Sequence, residues 1–72
     1  MGRVEIWTRL LQRRAEQNEK HEFPDCDFRR LSILLEEVGE VAQCLNDHES
    51  PDRLIDELVD AIAVGVRWLE NL

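Results

Sequence analysis

Two prolines and three glycines are the only strong helix breakers in 72 residues, and their positions leave little choice of architecture. The ring of Pro24 disfavours helix at the preceding Phe23, and Pro51 suits the first position of a new helix, so each marks a boundary between long uninterrupted segments. Over about 3–20, Val4, Trp7, Leu10 and Leu11 fall on one stripe at helical spacing, with Arg9, Gln12, Arg13 and Glu16 largely elsewhere. Over about 28–46, Leu31, Leu35, Val38, Ala42 and Leu45 alternate four and three positions apart like a bundle seam, with Asp25 or Asp27 as the expected N-cap. Ser50-Pro51-Asp52 opens a third helix over about 51–71, with Leu54, Ile55, Leu58, Val59, Ile62, Val66 and Leu69 as its apolar positions. Alternating β-branched runs between glycine-rich turns are absent, so the expected class is all-α: one domain, 1–72, of three helices.

A chain this short buries only about 60% of its unfolded surface when it folds alone. Between Ala61 and Leu69 the only charge is Arg67, which makes this stretch of the third helix apolar nearly all the way round. Helices two and three, joined by the short connector 47–50, should form an antiparallel helical hairpin that completes a four-helix-type bundle by oligomerisation, as a homodimer or homotetramer.

Charge excludes several functions. The net charge is −7, with five positive and three negative side chains in residues 1–20 and four against thirteen in the remainder. An acidic body of this kind repels a nucleic acid duplex, which is therefore not an expected partner. The longest apolar run, Ala61 to Val66, is far below the roughly 18 residues of a membrane span, so no membrane is expected either. Met1-Gly2-Arg3 leads into a charged amphipathic segment rather than a signal peptide. Cys26 and Cys44 match no zinc-ligand spacing and supply no disulfide framework, which fits a reducing, cytoplasmic compartment.

The chemistry sits in six acids: Glu36, Glu37 and Glu40 on helix two, Asp56, Glu57 and Asp60 on helix three. Residues three apart on a helix are neighbours, so Glu37 with Glu40 and Glu57 with Asp60 form two tight pairs that should face one another across the hairpin. Most such charge runs are solvated faces. These acids instead interrupt apolar rows, with Ile33 and Leu34 before and Val41 and Cys44 after the first pair, and Leu54 before and Ala61 and Val64 after the second. Buried together, they must be protonated, paired with bases or filled with cations. The bases on these two helices are few: Arg53 and Arg67 on helix three, Arg29 and Arg30 at the start of helix two. Oxygen-only ligands favour magnesium, manganese or calcium. A di-iron site would need a Glu-x-x-His pair, and the third residues after Glu40 and Glu57 are Gln43 and Asp60.

Glu36-Glu37-Val38-Gly39-Glu40, followed after sixteen residues by Glu57-Leu58-Val59-Asp60, resembles the Glu-Glu-x-x-Glu…Glu-x-x-Asp signature of the MazG-like all-α nucleoside triphosphate pyrophosphohydrolases. The similarity covers roughly Leu31 to Leu69. It implies a magnesium-dependent hydrolase, with manganese as the alternative ion, that splits a nucleoside triphosphate into monophosphate and pyrophosphate in a helical dimer or tetramer. It further implies Glu37, Glu40, Glu57 and Asp60 as metal ligands, with Glu36 orienting or activating the attacking water. The family's nucleotide selection by the first helix and the following connector points to Trp7, Asn18, His21 and Phe23. The family's phosphate contacts come from basic and amide residues past the second motif, where this sequence departs from the pattern; Arg67, Arg30 or Lys20 would have to substitute for them. The same helical acids also fit phosphoribosyl-ATP pyrophosphohydrolase, and a non-catalytic helical interaction module retaining the fold stands as a third reading.

Overall fold

The computed structural model describes residues 1–20 and 22–72. Its elements are α1 (Arg3–Lys20), α2 (Asp27–Asn46) and α3 (Pro51–Glu70), with no strand among the described residues. α3 is the central helix and packs against both α1 and α2, while α1 and α2 flank it without meeting. The arrangement measures 34 × 28 × 19 Å, a thin slab in which every helix keeps a face to solvent. No described helix is long and apolar enough to cross a membrane.

Local chemistry explains the boundaries. The N-cap of α2 is Cys26, extended at φ −93° and ψ 125° and without a side-chain cap bond, rather than Asp25 or Asp27. Asp27 is instead the first helical residue, and its Oδ1 accepts from Trp68 Nε1 at 2.9 Å and from Arg30 Nη1 at 3.4 Å, so its carboxylate serves tertiary contacts. The backbone N–H of Arg53 donates to Ser50 Oγ at 3.3 Å, as the Ser-Pro-Asp start of α3 requires. Between the hairpin helices, Glu49 N donates to Cys44 O at 3.1 Å and His48 N to Leu45 O at 3.2 Å. These are the two bonds of a Schellman C-cap, with His48 at φ 52° in the left-handed position usually held by glycine.

The inward face of α2 is not the expected seam. Arg30, Ile33, Leu34, Glu37, Val41 and Cys44 are its buried or half-buried positions, whereas Leu31, Leu35, Val38 and Leu45 are exposed. α2 therefore carries two apolar stripes, one spent on α3 and one without a partner in the single chain. Val38 belongs to the rim of an apolar groove of about 500 Å³, shared with Leu34 and with Leu58, Ile62, Val66 and Leu69 of α3. The core proper is small: Leu10, Cys44, Val59, Ala61, Ala63 and Val64. The α1 stripe is likewise mostly exposed, with Val4 at 80% and Leu11 at 61%.

Polar ties hold α1 on α3. Gln17 Nε2 donates to the Asp60 carbonyl at 3.2 Å, Arg67 Nη1 to the Gln17 carbonyl at 3.4 Å, and Arg14 pairs with Glu70. With Arg13 bound to Asp56 and Asp60, these ties fix the register that brings the middle of α1 over the acids of α3.

Candidate functional site

Carboxylate oxygens of Glu37, Glu40 and Glu57 lie within 4.8 Å of one another. The helical i, i+3 spacing places Glu37 and Glu40 on successive turns of α2, and the antiparallel packing of α3 brings Glu57 opposite them. Glu57 is 7% exposed; its Oε1 accepts from Arg53 Nη2 at 2.8 Å, and its Oε2 is buried with no hydrogen-bond partner. Glu37 is half-buried, and its Oε2 is buried and unpartnered as well. Leaving such an acceptor unsatisfied costs roughly 1–3 kcal/mol, so each orphaned oxygen calls for a proton or a cation.

The electrostatics agree. Burial, and next the negative charge of Glu40, push the Glu37 carboxyl up to about 7, with Asp60 and Glu57 adding to the effect. Glu57 is also raised, first by burial and then by the adjacent Glu40 carboxyl, against the opposing pull of Arg53. Three carboxylates this close cannot all carry full charge near neutrality without compensation.

Asp60 stands apart from the three. Its Oδ1 accepts from Arg13 Nη1 at 2.6 Å, and Arg13 Nη2 reaches Asp56 Oδ1 at 3.3 Å. Asp60 still borders the same space: Arg13, Gln17, Lys20, Glu37, Glu40 and Asp60 line a cavity of about 200 Å³. The facing of the two acidic pairs is thus met by three of the four motif acids, with the fourth held at the rim by an arginine of α1.

A second cavity of about 390 Å³ adjoins the cluster, with Gln17, Phe23, Glu36, Glu37, Val64 and Arg67 on its wall. Glu36, exposed at the helix edge, is therefore next to Glu37 and open to solvent. Phe23 carries two guanidinium groups, Arg67 at 4.7 Å and Arg30 at 5.2 Å from the ring centroid, and so is engaged in cation–π contact rather than standing bare. Arg67 is buried, and burial together with the nearby charge of Arg14 lowers its basicity. Beyond Phe23 and Arg67, a wider cavity of about 690 Å³ takes in Arg14, Asn18 and Asn71.

The sequence-derived candidates thus divide. Glu37, Glu40 and Glu57 come together; Asp60, Lys20 and Glu36 line the adjoining spaces; Asn18 and Arg67 border the outer cavity. Trp7, 56% exposed, lines neither cavity at the cluster. Arg30 serves the connector, donating from Nε to the Pro24 carbonyl at 2.6 Å. His21 lies outside the described residues.

The scarcity of bases near the acids needs correction. Arg53 was legible as an i, i+4 partner of Glu57, and it makes that ion pair. Arg13 had no such signal, because it reaches the acids only through the register of α1 on α3.

Comparison with protein families, curated proteins and solved structures finds no significant match.

Proposed function

We propose that this chain is a magnesium-dependent nucleotide pyrophosphohydrolase that splits a nucleoside triphosphate into monophosphate and pyrophosphate. The observation that carries the reading is the convergence of Glu37, Glu40 and Glu57 with two buried, unpartnered oxygens, at the positions where the MazG-like signature has its acids. An all-carboxylate donor set with orphaned oxygens fits a hard divalent cation, magnesium or manganese, and fits a thiophilic metal poorly. Glu37, Glu40 and Glu57 would hold it, with Asp60 beside them.

A divalent cation bound there supplies a more acidic water and neutralises charge on the phosphates. The chain supplies the rest. Glu36 and Glu37 border the 390 Å³ cavity from the acidic side; with Glu37 holding the cation, Glu36, exposed at the helix edge beside it, is the carboxylate placed to take a proton from the attacking water as it adds across the anhydride between the α and β phosphates. Lys20 and Gln17 line the smaller cavity, in reach of a triphosphate end, and the nucleoside then extends past Phe23 towards Asn18 and Arg67. A second copy of the chain covers the apolar groove, since exposed leucines spaced like a bundle seam match another helix of the same pattern; dimer or tetramer, the assembly is cytoplasmic.

The test is pyrophosphate release from a panel of common and modified nucleoside triphosphates, with magnesium and with chelator. Chelator-sensitive formation of pyrophosphate and monophosphate is expected. Turnover of phosphoribosyl-ATP alone moves the substrate class to that compound. One observation favours a non-catalytic interaction module: Arg13 occupies Asp60. Absence of turnover from a folded protein that binds a partner through its groove would establish that reading instead.

A further inference from the structure

Arg13 is in an unusual position for a structural ion-pair residue. Its guanidinium sits on the wall of the 200 Å³ cavity together with Glu37, Glu40 and Asp60, and it is a quarter exposed there. Nη1 donates to Asp60 Oδ1 at 2.6 Å and reaches the Asp56 carbonyl at 3.4 Å; Nη2 reaches Asp56 Oδ1 at 3.3 Å; Nε lies 3.5 Å from Glu16 Oε2. Every donor edge of the fork is thus turned towards an acceptor of the protein, and one of those acceptors is the fourth acid of the motif.

We propose that Arg13 is the phosphate-positioning residue of this site, held by Asp60 until a cation and a phosphate arrive together. The proposal rests on the reading that the acids bind a divalent cation beside a polyphosphate. Its reasoning is electrostatic. A guanidinium locked onto Asp60 opposes a cation at Glu37, Glu40 and Glu57 twice, by its own charge and by keeping Asp60 engaged. A phosphate in the same cavity reverses both effects, because its oxygens give the fork a bidentate acceptor in exchange for Asp60 and free that carboxylate for the cation. The short planar reach of arginine suits the exchange, since Asp56, Asp60 and the cavity lie around one guanidinium. Lys20 on the same wall is an exposed point charge without that fork.

Two affinities separate this role from a structural one. Manganese binding to the nucleotide-free protein is measured by calorimetry, and binding of a non-hydrolysable α,β-imido nucleoside triphosphate is measured at saturating manganese. Arg13→Gln is expected to bind manganese about three- to tenfold more tightly than wild type and the analogue at least about tenfold more weakly. The opposite signs are the signature; a residue that merely held α1 on α3 would weaken both. Arg13→Lys is read in the same way, so that a folding defect in the glutamine variant leaves the proposal open to refutation; it should show the same two signs at smaller amplitude. Manganese and analogue binding by wild type with both affinities unchanged or both weakened in the variants overturns the role of Arg13 alone. Failure of wild type to bind manganese overturns the cation reading and this proposal with it.

Discussion

Trp68 Nε1 donates to Asp27 Oδ1 at 2.9 Å, joining the last turn of α3 to the first turn of α2. The connector 47–50 closes the hairpin at one end, and this bond closes it at the other. The N-cap residue of α2 is Cys26, whose side chain makes no cap bond, so this tertiary bond is the one that secures the start of the helix to α3. Trp68→Phe keeps a ring on the hairpin and removes only the donor. It is expected to cost about 1.5 kcal/mol, the low end for a bond to a charged acceptor because Asp27 is exposed, as read from urea unfolding. A loss above about 3 kcal/mol would mean that the ring, and not the bond, secures the end.

The raised carboxyl of Glu37 gives stability a pH slope of definite sign. A folded-state value of about 7 against an ordinary 4.5 means that the folded chain holds a proton that the unfolded chain has released, so stability falls as pH rises between those values. Glu57, shifted in the same direction, adds to the slope. Thermal unfolding in chelator should show a melting temperature that declines over this interval, and Glu37→Gln should flatten the decline. A rising melting temperature there would contradict the crowding of these acids.

Glu40 is the exposed member of the cluster, so its substitution separates ligand chemistry from folding. Glu40→Gln removes a charge that raises both Glu37 and Glu57. The metal-free protein should be as stable as wild type or slightly more so, while manganese affinity falls at least about tenfold and magnesium-dependent turnover is lost. Undiminished affinity in a calorimetric titration would remove Glu40 from the ligand set.

What was legible in the sequence followed from local rules. Pro24, Pro51 and Ser50 act within a turn of themselves, so three helices could be bounded to within one residue, at Asp27 and Glu70 against the expected 28 and 71. The i, i+3 pairs and the short connector were enough to bring Glu37, Glu40 and Glu57 together. Failure begins where a helix has two apolar stripes. On α2 the leucine-rich stripe of Leu31, Leu35, Val38 and Leu45 is the stronger pattern, yet α3 takes the row of Ile33, Leu34, Glu37, Val41 and Cys44, and periodicity alone does not rank them. The position of Arg13 was equally hidden, since its partners Asp56 and Asp60 lie more than forty residues away and only the packing of α1 on α3 joins them.

His48 carries strain that a single substitution relieves. Its φ of 52° lies in the left-handed region, which costs a residue with a Cβ about 1–2 kcal/mol. His48→Gly removes that cost and returns roughly 0.5–1 kcal/mol through the greater freedom of glycine in the unfolded chain. A net gain of about 0.5–1 kcal/mol is expected in denaturant unfolding. A loss would show that the imidazole makes a compensating contact at the C-cap.

The apolar groove gives the sharpest distinction between a chain that works alone and one that works as a pair. Ile62 is 49% exposed on its floor, between Leu58 and Val66 of α3. In a lone chain, Ile62→Glu is a substitution at a half-exposed helical position and should shift stability by no more than about 0.5 kcal/mol. Under a second copy, the new carboxylate is buried without a partner and costs several kcal/mol, enough to drive the assembly apart. Light scattering coupled to gel filtration is expected to give a multiple of 8.5 kDa for wild type and a single chain for the variant. Raising the salt concentration should leave the wild-type mass unchanged, because the facing surfaces are apolar and have little charge to screen. A wild-type mass of one chain at micromolar concentration would instead mean that a second copy does not cover the exposed stripes of α2 and α3.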